Sequence, residues 1–326
     1  MIISRAPFRI TLAGGGTDLP AFYKKHGSTF LSCAIDKYVY VGIRKRAFEK
    51  EIRLQYIDCE VVSHVSELKH NRARACLELH EIEDSVEVVS SADLSARSGM
   101  GSSGSYIVAL LHSIRKLKGL STDPDVIANE ACKIEMDILN EPVGKQDQFI
   151  ASHGAMTKFS IDRLGCVSSQ KIEIHKKTLD TLRDNCMIFY TGVLRNASEV
   201  LSQQQRNILQ NDASMCAIQE IGFKAIKAIE SGNLDDFGRL MHEHWLHKKQ
   251  LGSGVVVSKT EKLYQDLIES GHSLGGKIIG AGGGGFLMLY VPKSHQAVEK
   301  KLSEAGLPRM LWDVSKSGVQ DCRWQS

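Results

Sequence analysis

Polar and apolar residues alternate in several segments of the chain with the two-residue period of a half-buried strand. These segments are rich in β-branched and aromatic side chains, which pack well on a pleated surface. The pattern predicts strands at residues 1–12, 34–57 and 86–90. Within residues 155–193 it returns in MTKFSI and CMIFYTGV, and later it predicts a strand at the end of KIIGAGGGGFLMLYV and another near residues 310–314.

Other segments carry apolar residues at the spacing of one helical face. Between Ser102 and Leu117 these residues are at positions 106, 107, 110, 111, 114 and 117, which predicts a helix directly after a glycine-rich loop. A second helix is expected to begin at Asp123, an N-cap residue followed by Pro124, and to run to about residue 140, where the turn EPVGKQDQ ends it. Further helices are predicted at residues 197–231, 233–250, 258–270 and 295–306.

The order of these elements favours an α+β fold, because strands and helices are mixed without the strict alternation of a doubly wound parallel sheet. A chain of 326 residues can bury a large core and is long enough for two domains. We place the boundary near residues 175–185, which gives an N-terminal domain of residues 1–178 and a C-terminal domain of residues 179–326.

The charge balance argues against a nucleic-acid partner. The chain has 41 basic and 38 acidic residues, and its 42% hydrophobic and 24% charged residues are typical of a globular protein. The densest basic group, Lys69–Arg74, is short and fits a solvated turn or helix end. We therefore expect no nucleic acid as ligand.

The cysteines and the N-terminus indicate the compartment. The eight cysteines are scattered without a C-x-x-C pair, as expected of small apolar residues in a reducing environment. Arg5 and Arg9 interrupt the apolar run that a secretory signal would need, and no apolar run approaches the ~20 residues of a membrane span. We expect a cytoplasmic protein without a membrane partner, and a homodimer is left open as its assembly.

The loop RSGMGSSGS, Arg97–Ser105, precedes the first predicted helix. Its glycines match the G-x-G-x-x-G spacing of a dinucleotide site, but that site needs a second parallel strand ending in Asp or Glu about 20 residues on, and at this distance Asp123 begins a helix. A G-x-x-x-x-G-K-[ST] loop is excluded because no lysine follows Gly101 or Gly104. An anion site at a helix N-terminus remains, with a linker or a simple N-cap as the alternative.

Two other segments combine a strand with glycines. PFRITLAGGGTD, Pro7–Asp18, joins a predicted strand to three consecutive glycines, which leave the backbone open to close approach. Asp18 can equally be the cap of a following helix. KIIGAGGGGF, Lys277–Phe286, places a glycine cluster before a C-terminal strand.

Together, PFRITLAGGGTD, GMGSSGS and KIIGAGGGGF resemble the three motifs of the GHMP kinases, the superfamily of galactokinase, homoserine kinase, mevalonate kinase and phosphomevalonate kinase. The resemblance spans almost the whole chain, and the motifs follow in the family's order. It implies a two-domain GHMP kinase fold, with an N-terminal domain like ribosomal protein S5 domain 2 and a C-terminal ferredoxin-like α+β domain. Ser95 and Arg97 depart from the family's proline and glycine, and Gly14–Gly16 replace the Gly-Glu-His of galactokinases, which argues against galactose as the substrate.

The resemblance also implies the ligands. ATP is expected to bind along the second motif, on Arg97, Ser98, Gly99, Met100, Gly101, Ser102, Ser103 and Gly104. Mg²⁺ is expected at Ser103 and Glu135, whose oxygen atoms suit it. Acceptor contacts are expected from Gly15, Gly16, Thr17, Asp18, Lys145, Gly282 and Gly283.

Two further positions match the catalytic groups of the family. Asp147 in GKQDQF matches the catalytic aspartate of its sugar kinases, a carboxylate that accepts the hydroxyl proton. Arg9 matches the basic residue that keeps this carboxylate ionised. Without the resemblance, Asp147 is a typical turn residue and Glu135 a solvated residue of an amphipathic helix.

The histidine cluster HEHWLH, residues 242–247, invites a metal site but lacks the H-E-x-x-H spacing, because position 246 is Leu. His244 and His247 are close to one helical turn apart, yet histidines on amphipathic helices are usually packed or solvated. We assign no metal there and expect Trp245 in the core.

Within the superfamily, SRAPFRITLAGGGTDLPAFYKKHG together with GKQDQ is most similar to the D-glycero-D-manno-heptose 7-phosphate kinases. These enzymes phosphorylate the anomeric hydroxyl to give the 1,7-bisphosphate in nucleotide-activated heptose synthesis. Lys145 suits an acceptor that already carries a phosphate, and Arg97 and Arg195 are further candidates for contacting it.

Other functions stay open. L-fucokinase-like and other hexose 1-kinases of the same superfamily are the nearest alternatives, and a non-catalytic regulator that binds nucleotide or sugar is another. The presence of all four expected functional groups favours an enzyme; they are Arg9, Ser103, Glu135 and Asp147. A dinucleotide oxidoreductase is disfavoured because the second strand is missing.

Overall fold

The computed structural model describes residues 1–193, 211–251, 258–280 and 282–322. Arg195, one of the expected phosphate contacts, lies outside these ranges, as does the first part of the helix predicted at 197–231. The strands are β1 (Ile2–Ala13), β2 (Ser28–Lys45), β3 (Ile52–Gln55), β4 (Cys59–Val62), β5 (Val86–Ala92), β6 (Met156–Ile161), β7 (Val167–Lys171), β8 (Cys186–Tyr190), β9 (Gly275–Ile278), β10 (Phe286–Tyr290), β11 (Arg309–Met310) and β12 (Gln320–Asp321).

The described helices include the predicted ones and four that the sequence pattern did not predict, at residues 20–26, 71–79, 146–153 and 176–185. They are α1 (Pro20–His26), α2 (Asn71–Leu79), α3 (Ser102–Leu117), α4 (Pro124–Cys132), α5 (Gln146–His153), α6 (Lys176–Asn185), α7 (Asp212–Glu230), α8 (Leu234–Lys249), α9 (Ser258–Glu269) and α10 (His295–Glu304). A short 3₁₀ turn spans Val65–Glu67, and a π-helical segment, Lys133–Ile138, continues α4. No helix among these is long and apolar enough to cross a bilayer.

The larger sheet has eight described strands in the order β12-β1-β2-β5-β3-β4, with β6 pairing with β2 and β7 with β6. Strand β2 is 18 residues long and pairs with β1, β5 and β6 along its length. Helix α3 packs on β1 and β2, and all its residues from Gly104 to Arg115 are buried. A helix that is buried all round is a core element, so the loop before α3 is anchored by the centre of the domain.

The smaller sheet has the order β11-β8-β10-β9, and all its described pairs are antiparallel. The strand order is that of a ferredoxin-like domain, which confirms that expectation, although three described helices, α7, α8 and α9, lie between β8 and β9 where the β-α-β-β-α-β motif has one. One apolar cluster joins the two sheets, since it contains Ile10 of β1 and Tyr290 of β10. The molecule is therefore a two-domain α+β fold, as predicted.

The course of the chain differs from the sequence expectation in several places. The single strand predicted at 34–57 is two strands, β2 and β3, separated by a loop. The segment GKQDQF, expected as a turn, contains the start of α5. The chain changes sheets between Lys171 and Cys186, around the expected boundary, but its C-terminal segment returns to the first sheet, where Asp321 pairs with Ser4.

Candidate active site

A cleft between the two sheets brings the three glycine motifs together. Of the expected site residues, those that line the cleft are Arg9, Gly15, Gly16, Asp18, Arg97, Gly99, Gly101, Ser102, Ser103, Glu135 and Asp147. Those that do not line it are Thr17, Ser98, Met100, Gly104, Lys145, Gly282 and Gly283. Three segments that are far apart in sequence thus form one site.

The first motif forms a tight turn at the end of β1. Gly14 has φ 69°, and the hydroxyl of Thr17 donates to the Gly14 carbonyl at 2.7 Å, which closes the turn. The turn places Asp18 in the cleft wall, where its carboxylate accepts from the backbone N–H of Gln146 at 3.1 Å. Burial raises the pKa of Asp18. Asp18 does not cap α1, whose N-cap position is Leu19, so it is free to face a ligand in the cleft.

The second motif leaves the N-terminus of α3 open to the cleft. Gly101 is the N-cap residue with φ 82°, and as a glycine it has no side chain to cap the helix. The free N–H groups of the first turn and the helix dipole favour an anion, and Ser102 and Ser103 line the cleft there. The loop is tied to β1, because the N–H of Arg9 donates to the carbonyl of Met100 at 3.0 Å. The loop is therefore held rigidly and is not a linker.

Arg97 occupies a backbone conformation that favours glycine. Its φ is 64°, in the left-handed region, although it carries a long side chain. A glycine would adopt this conformation without strain, and Arg97 lines the cleft in it.

The third motif packs on the second, backbone to backbone. A Cβ on Gly99 would lie 2.8 Å from the carbonyl oxygen of Ile279, and a Cβ on Gly280 would overlap the carbonyl of Gly99. Gly280 lines the cleft, whereas Gly282 and Gly283 lie outside the lining with φ 96° and 78°. The glycines of the two motifs thus allow the C-terminal domain to contact the loop directly.

Asp147 and Arg9 form the central ion pair of the cleft. Nε of Arg9 donates to Oδ1 of Asp147 at 2.7 Å and Nη2 donates to Oδ2 at 3.1 Å, while Nη1 donates to the carbonyl of Gly99 at 2.7 Å. Asp147 lies in the first helical turn of α5 and not in the loop that the sequence suggests. The helix dipole favours a negative charge at this position. The Arg9 side chain is 7% exposed and that of Asp147 is 28% exposed. The buried guanidinium group therefore fixes the carboxylate on its protein side, and the carboxylate stays accessible from the cleft.

Glu135 lies behind Ser103 and is buried in the π-helical segment. Its carboxylate accepts hydrogen bonds from Arg72 and from Nε2 of Gln148, and it also contacts the Ser103 hydroxyl. Burial raises the pKa of Glu135, an effect that the positive charge of Arg72 opposes. Oε1 of Gln148 is buried beside it without a hydrogen-bond partner among the described residues.

This oxygen-rich group fits a Mg²⁺ site. A hydroxyl, a carboxylate and an amide oxygen are ligands that Mg²⁺ accepts, and it completes its coordination with phosphate oxygens and water. Ser103, Glu135 and Gln148 all line the cleft next to the open end of α3. The residues present therefore suit the ion that the sequence predicts.

Lys145 points away from the cleft. Its Nζ donates to the carbonyl of Gly165 at 2.6 Å and lies 5.9 Å from the ring centre of Tyr23. In this arrangement its ammonium group stabilises the loop before β7, and its expected contact with a substrate phosphate stays a prediction.

Three ionisable residues of the C-terminal domain that the sequence did not predict as site residues line the cleft. They are His244, Lys248 and Lys277. His244 and Lys248 are four positions apart on α8, and Lys277 is a lysine within an otherwise apolar strand directly before the third glycine motif. A lysine in a buried strand was the one signal available, because charged residues rarely occur there without a partner.

The histidines of residues 242–247 point in different directions. His242 shares a hydrogen bond with the Tyr264 hydroxyl at 2.5 Å, whereas His244 faces the cleft. Trp245 is buried, as predicted, and its indole N–H donates to Glu261 at 3.2 Å.

Comparison with known proteins gives a family for this architecture. The model of the GHMP kinases N terminal domain matches residues 66–155, and that of the GHMP kinases C terminal domain matches residues 225–306. The two matches contain the second and third motifs and cover more than half of the chain together.

Individual relatives agree with these matches. A D-glycero-alpha-D-manno-heptose 7-phosphate kinase of Campylobacter jejuni is 25% identical, over 99% of both chains. The L-fucokinase/L-fucose-1-P guanylyltransferase of Bacteroides fragilis is 27% identical over 93% of this chain, which spans 36% of that protein. A solved D-glycero-D-manno-heptose 1-phosphate kinase from Bacteroides thetaiotaomicron superposes with a TM-score of 0.81 at 21% identity, over all of both chains.

Proposed function

Since the chain belongs to the GHMP kinase family and is a phosphotransferase, we propose that it transfers the γ-phosphoryl group of ATP to the anomeric hydroxyl of D-glycero-D-manno-heptose 7-phosphate. The observation that supports this most directly is the ion pair of Asp147 and Arg9 in one cleft with the open N-terminus of α3. A small-molecule kinase needs a base that accepts the proton of the hydroxyl group, and it needs hydrogen-bond donors that bind the phosphates. A cytoplasmic location is part of the proposal.

The donor is proposed to bind along Arg97–Gly104. The N–H groups at the start of α3 and the guanidinium of Arg97 offer donors to the phosphate oxygens. The backbone contacts of this loop with β1 and with Gly280 hold it in place, so little ordering is required when phosphates bind.

Ser103 and Glu135 are proposed to hold Mg²⁺, with Gln148 beside them. A bound Mg²⁺ would neutralise charge on the phosphates during transfer. Arg72 donates to Glu135 from outside the cleft and so orients its carboxylate.

Asp147 is proposed to accept the proton of the attacking hydroxyl. As the hydroxyl oxygen bonds to the γ-phosphorus, the bond from that phosphorus to the β,γ-bridging oxygen breaks, ADP leaves, and the proton moves to the carboxylate. The three hydrogen bonds of Arg9 fix this carboxylate against the loop, at the end nearest the donor.

The acceptor is proposed to lie against the first motif. Asp18 presents a buried carboxyl group and Gly15 and Gly16 present backbone, so these residues can bind sugar hydroxyls. Thr17 acts through the turn that it closes. Gly282 and Gly283 are proposed to shape the loop of the third motif rather than to contact the sugar directly.

A second candidate acceptor is L-fucose, because the chain is 27% identical to a protein with L-fucokinase in its name. The two candidates differ in chemistry, since fucose carries no phosphate.

The test is ATP consumption with a panel of free and phosphorylated heptoses and hexoses, with the position of the new phosphate read by ³¹P NMR. We expect the best turnover with the heptose 7-phosphate and a new signal from an anomeric phosphate. Good turnover of fucose without turnover of any heptose phosphate would replace the first candidate with the second.

A further inference from the structure

The C-terminal wall of the cleft carries three buried basic side chains. His244, Lys248 and Lys277 are 3%, 7% and 2% exposed. His244 and Lys248 share one face of α8 because they are four residues apart, and Lys277 reaches the same wall from β9. The three residues, here called the basic wall, thus come from two elements that are distant in sequence.

Among the described residues, the hydrogen bonds of the basic wall leave donors unused. Nζ of Lys248 donates to the carbonyl of Gly280, and Nζ of Lys277 donates to the carbonyl of Leu12 at 3.2 Å. An ammonium group has three N–H donors, so both lysines can donate further. Nε2 of His244 is buried without a hydrogen-bond partner in the part of the chain that the structure describes.

Neither lysine forms an ion pair with a carboxylate among the described residues; Asp18 is the carboxylate that interacts with Lys248 through space. Buried charges are normally paired, because an isolated ion loses its hydration without compensation. Two such ammonium groups, and an imidazole whose Nε2 has no hydrogen-bond partner among the described residues, suit an anion with several oxygen atoms.

The position of the basic wall indicates which anion this is. Lys277 bonds to the end of β1, and His244 interacts with the backbone of Gly15. His244 and Lys277 therefore lie beside the first motif, where the acceptor is proposed to bind. Lys248 bonds to Gly280, at the side of the cleft where the third motif packs on Gly99. We propose that His244, Lys248 and Lys277 bind the phosphate group that the acceptor sugar carries before the reaction.

This inference rests on the proposed function, and it assigns the substrate phosphate to a different place from Lys145. Lys145 is engaged by Gly165 outside the cleft, whereas the basic wall lines it. A specificity for phosphorylated sugars would then come from the C-terminal domain, while the catalytic groups come from the N-terminal domain.

The electrostatics of the wall agree with an anionic ligand. Burial lowers the pKa of Lys277 to about 7 and that of Lys248 to about 8, and each lysine lowers the pKa of a neighbouring basic group. A bound phosphate dianion opposes both effects, so its binding is linked to full protonation of the lysines.

The test compares the KM of the phosphorylated sugar with that of its unphosphorylated form, at saturating ATP, in the variants Lys248→Met and Lys277→Met. Loss of one charge-assisted contact is expected to raise the KM of the sugar phosphate about 10- to 100-fold. The KM of the free sugar, the KM of ATP and kcat should stay near wild type. Lys249→Met is the matched control, because Lys249 pairs with Glu261 at 2.7 Å on another face of α8.

Other outcomes would overturn the inference. If the variants raise the KM equally for both sugars, the lysines contact the transferred phosphoryl group instead. If they raise the KM for ATP, the lysines contact the phosphates of the donor. An unchanged KM for the sugar phosphate in both variants would remove them from binding altogether. Methionine has a similar length and removes a buried charge, so both variants should fold, which thermal unfolding checks. If either lysine variant does not fold, the variant His244→Gln provides the same comparison of KM values.

Failure of the proposed function gives a different result. If the wild-type enzyme turns over no sugar phosphate, the wall is tested by calorimetric titration with inorganic phosphate at saturating ADP. Binding that is lost in Lys248→Met and kept in Lys249→Met supports the phosphate site, and binding that is equal in both variants contradicts it.

Discussion

Gly104 in α3 lies directly against Asp147 in α5. A Cβ on Gly104 would come within 2.9 Å of the Asp147 Cβ and 3.1 Å of its carbonyl carbon. A Cβ on Gly101 would lie 3.2 Å from Cγ of the Asp147 carboxyl group. The glycines of the second motif therefore make room for the carboxylate of Asp147, the proposed base, as well as for the proposed ATP phosphates.

The variant Gly104→Ala tests this packing. Its methyl group must displace α5, and the resulting overpacking should lower the free energy of unfolding by about 1–3 kcal/mol. Displacement of Asp147 should lower kcat by about 10- to 100-fold. Lys116→Ala, at the exposed end of the same helix, is the control and should change neither quantity. A normal kcat in Gly104→Ala would show that the position of Asp147 is not critical.

The variant Asp147→Asn tests the role of the carboxylate itself. The amide cannot accept the hydroxyl proton, so kcat should fall by about 10²- to 10⁴-fold while the KM of ATP changes little. Asp137→Asn, an exposed aspartate of the nearby π-helical segment, is the control. Near wild-type kcat in a folded Asp147→Asn protein would exclude the base and leave only an orienting role.

The local parts of this site could be predicted from sequence, because each glycine motif encodes its own turn. Gly99, Gly101 and the start of α3 are adjacent in the chain, so their spacing suffices to indicate an anion site. The α+β class and the ferredoxin-like order of the second domain follow from periodicity and resemblance in the same way.

Features that depend on distant contacts could not be predicted. Lys248 and Lys277 join the cleft only because α8 and β9 pack side by side. The lysine in an apolar strand marks Lys277 as unusual, but no local pattern indicates that it meets Lys248. The direction of Lys145 depends on the carbonyl of Gly165, twenty residues later. The return of β12 to β1 rests on two residue pairs at the end of the chain, which is too short for a periodic pattern.

The variant Glu135→Gln separates metal binding from stability. Loss of the charged oxygen should raise the Mg²⁺ concentration needed for half-maximal activity at least about 10-fold. The midpoint of thermal unfolding should change little for two reasons. Burial raises the pKa of Glu135, which means that its charged form is costly in the fold, and Arg72 keeps an ion pair with Glu141 when the charge of Glu135 is removed. Glu141→Gln is the control, since it pairs with the same arginine outside the cleft lining. An unchanged Mg²⁺ requirement in Glu135→Gln would place the ion elsewhere.

The pH dependence of acceptor binding follows from the two buried lysines. Their pKa values of about 7 for Lys277 and about 8 for Lys248 are below the ordinary value, so both are charged at acidic pH and lose their protons as the pH rises through these values. Burial is the largest cause of both low pKa values, and Arg9 lowers both further. Lys248 also lowers the pKa of Lys277, whereas Cys186 raises the pKa of Lys277 and Asp18 raises that of Lys248.

A phosphate monoester has a second pKa of about 6 and is a dianion above it. The KM of a phosphorylated sugar should therefore be lowest between about pH 6 and pH 7 and rise from about pH 7 to pH 9, while the KM of the free sugar stays flat over that range. Steady-state kinetics with both sugars at fixed ionic strength measures this difference, and in Lys248→Met the rise near pH 8 should disappear. The same rise in the free sugar would assign the titration to the catalytic groups instead.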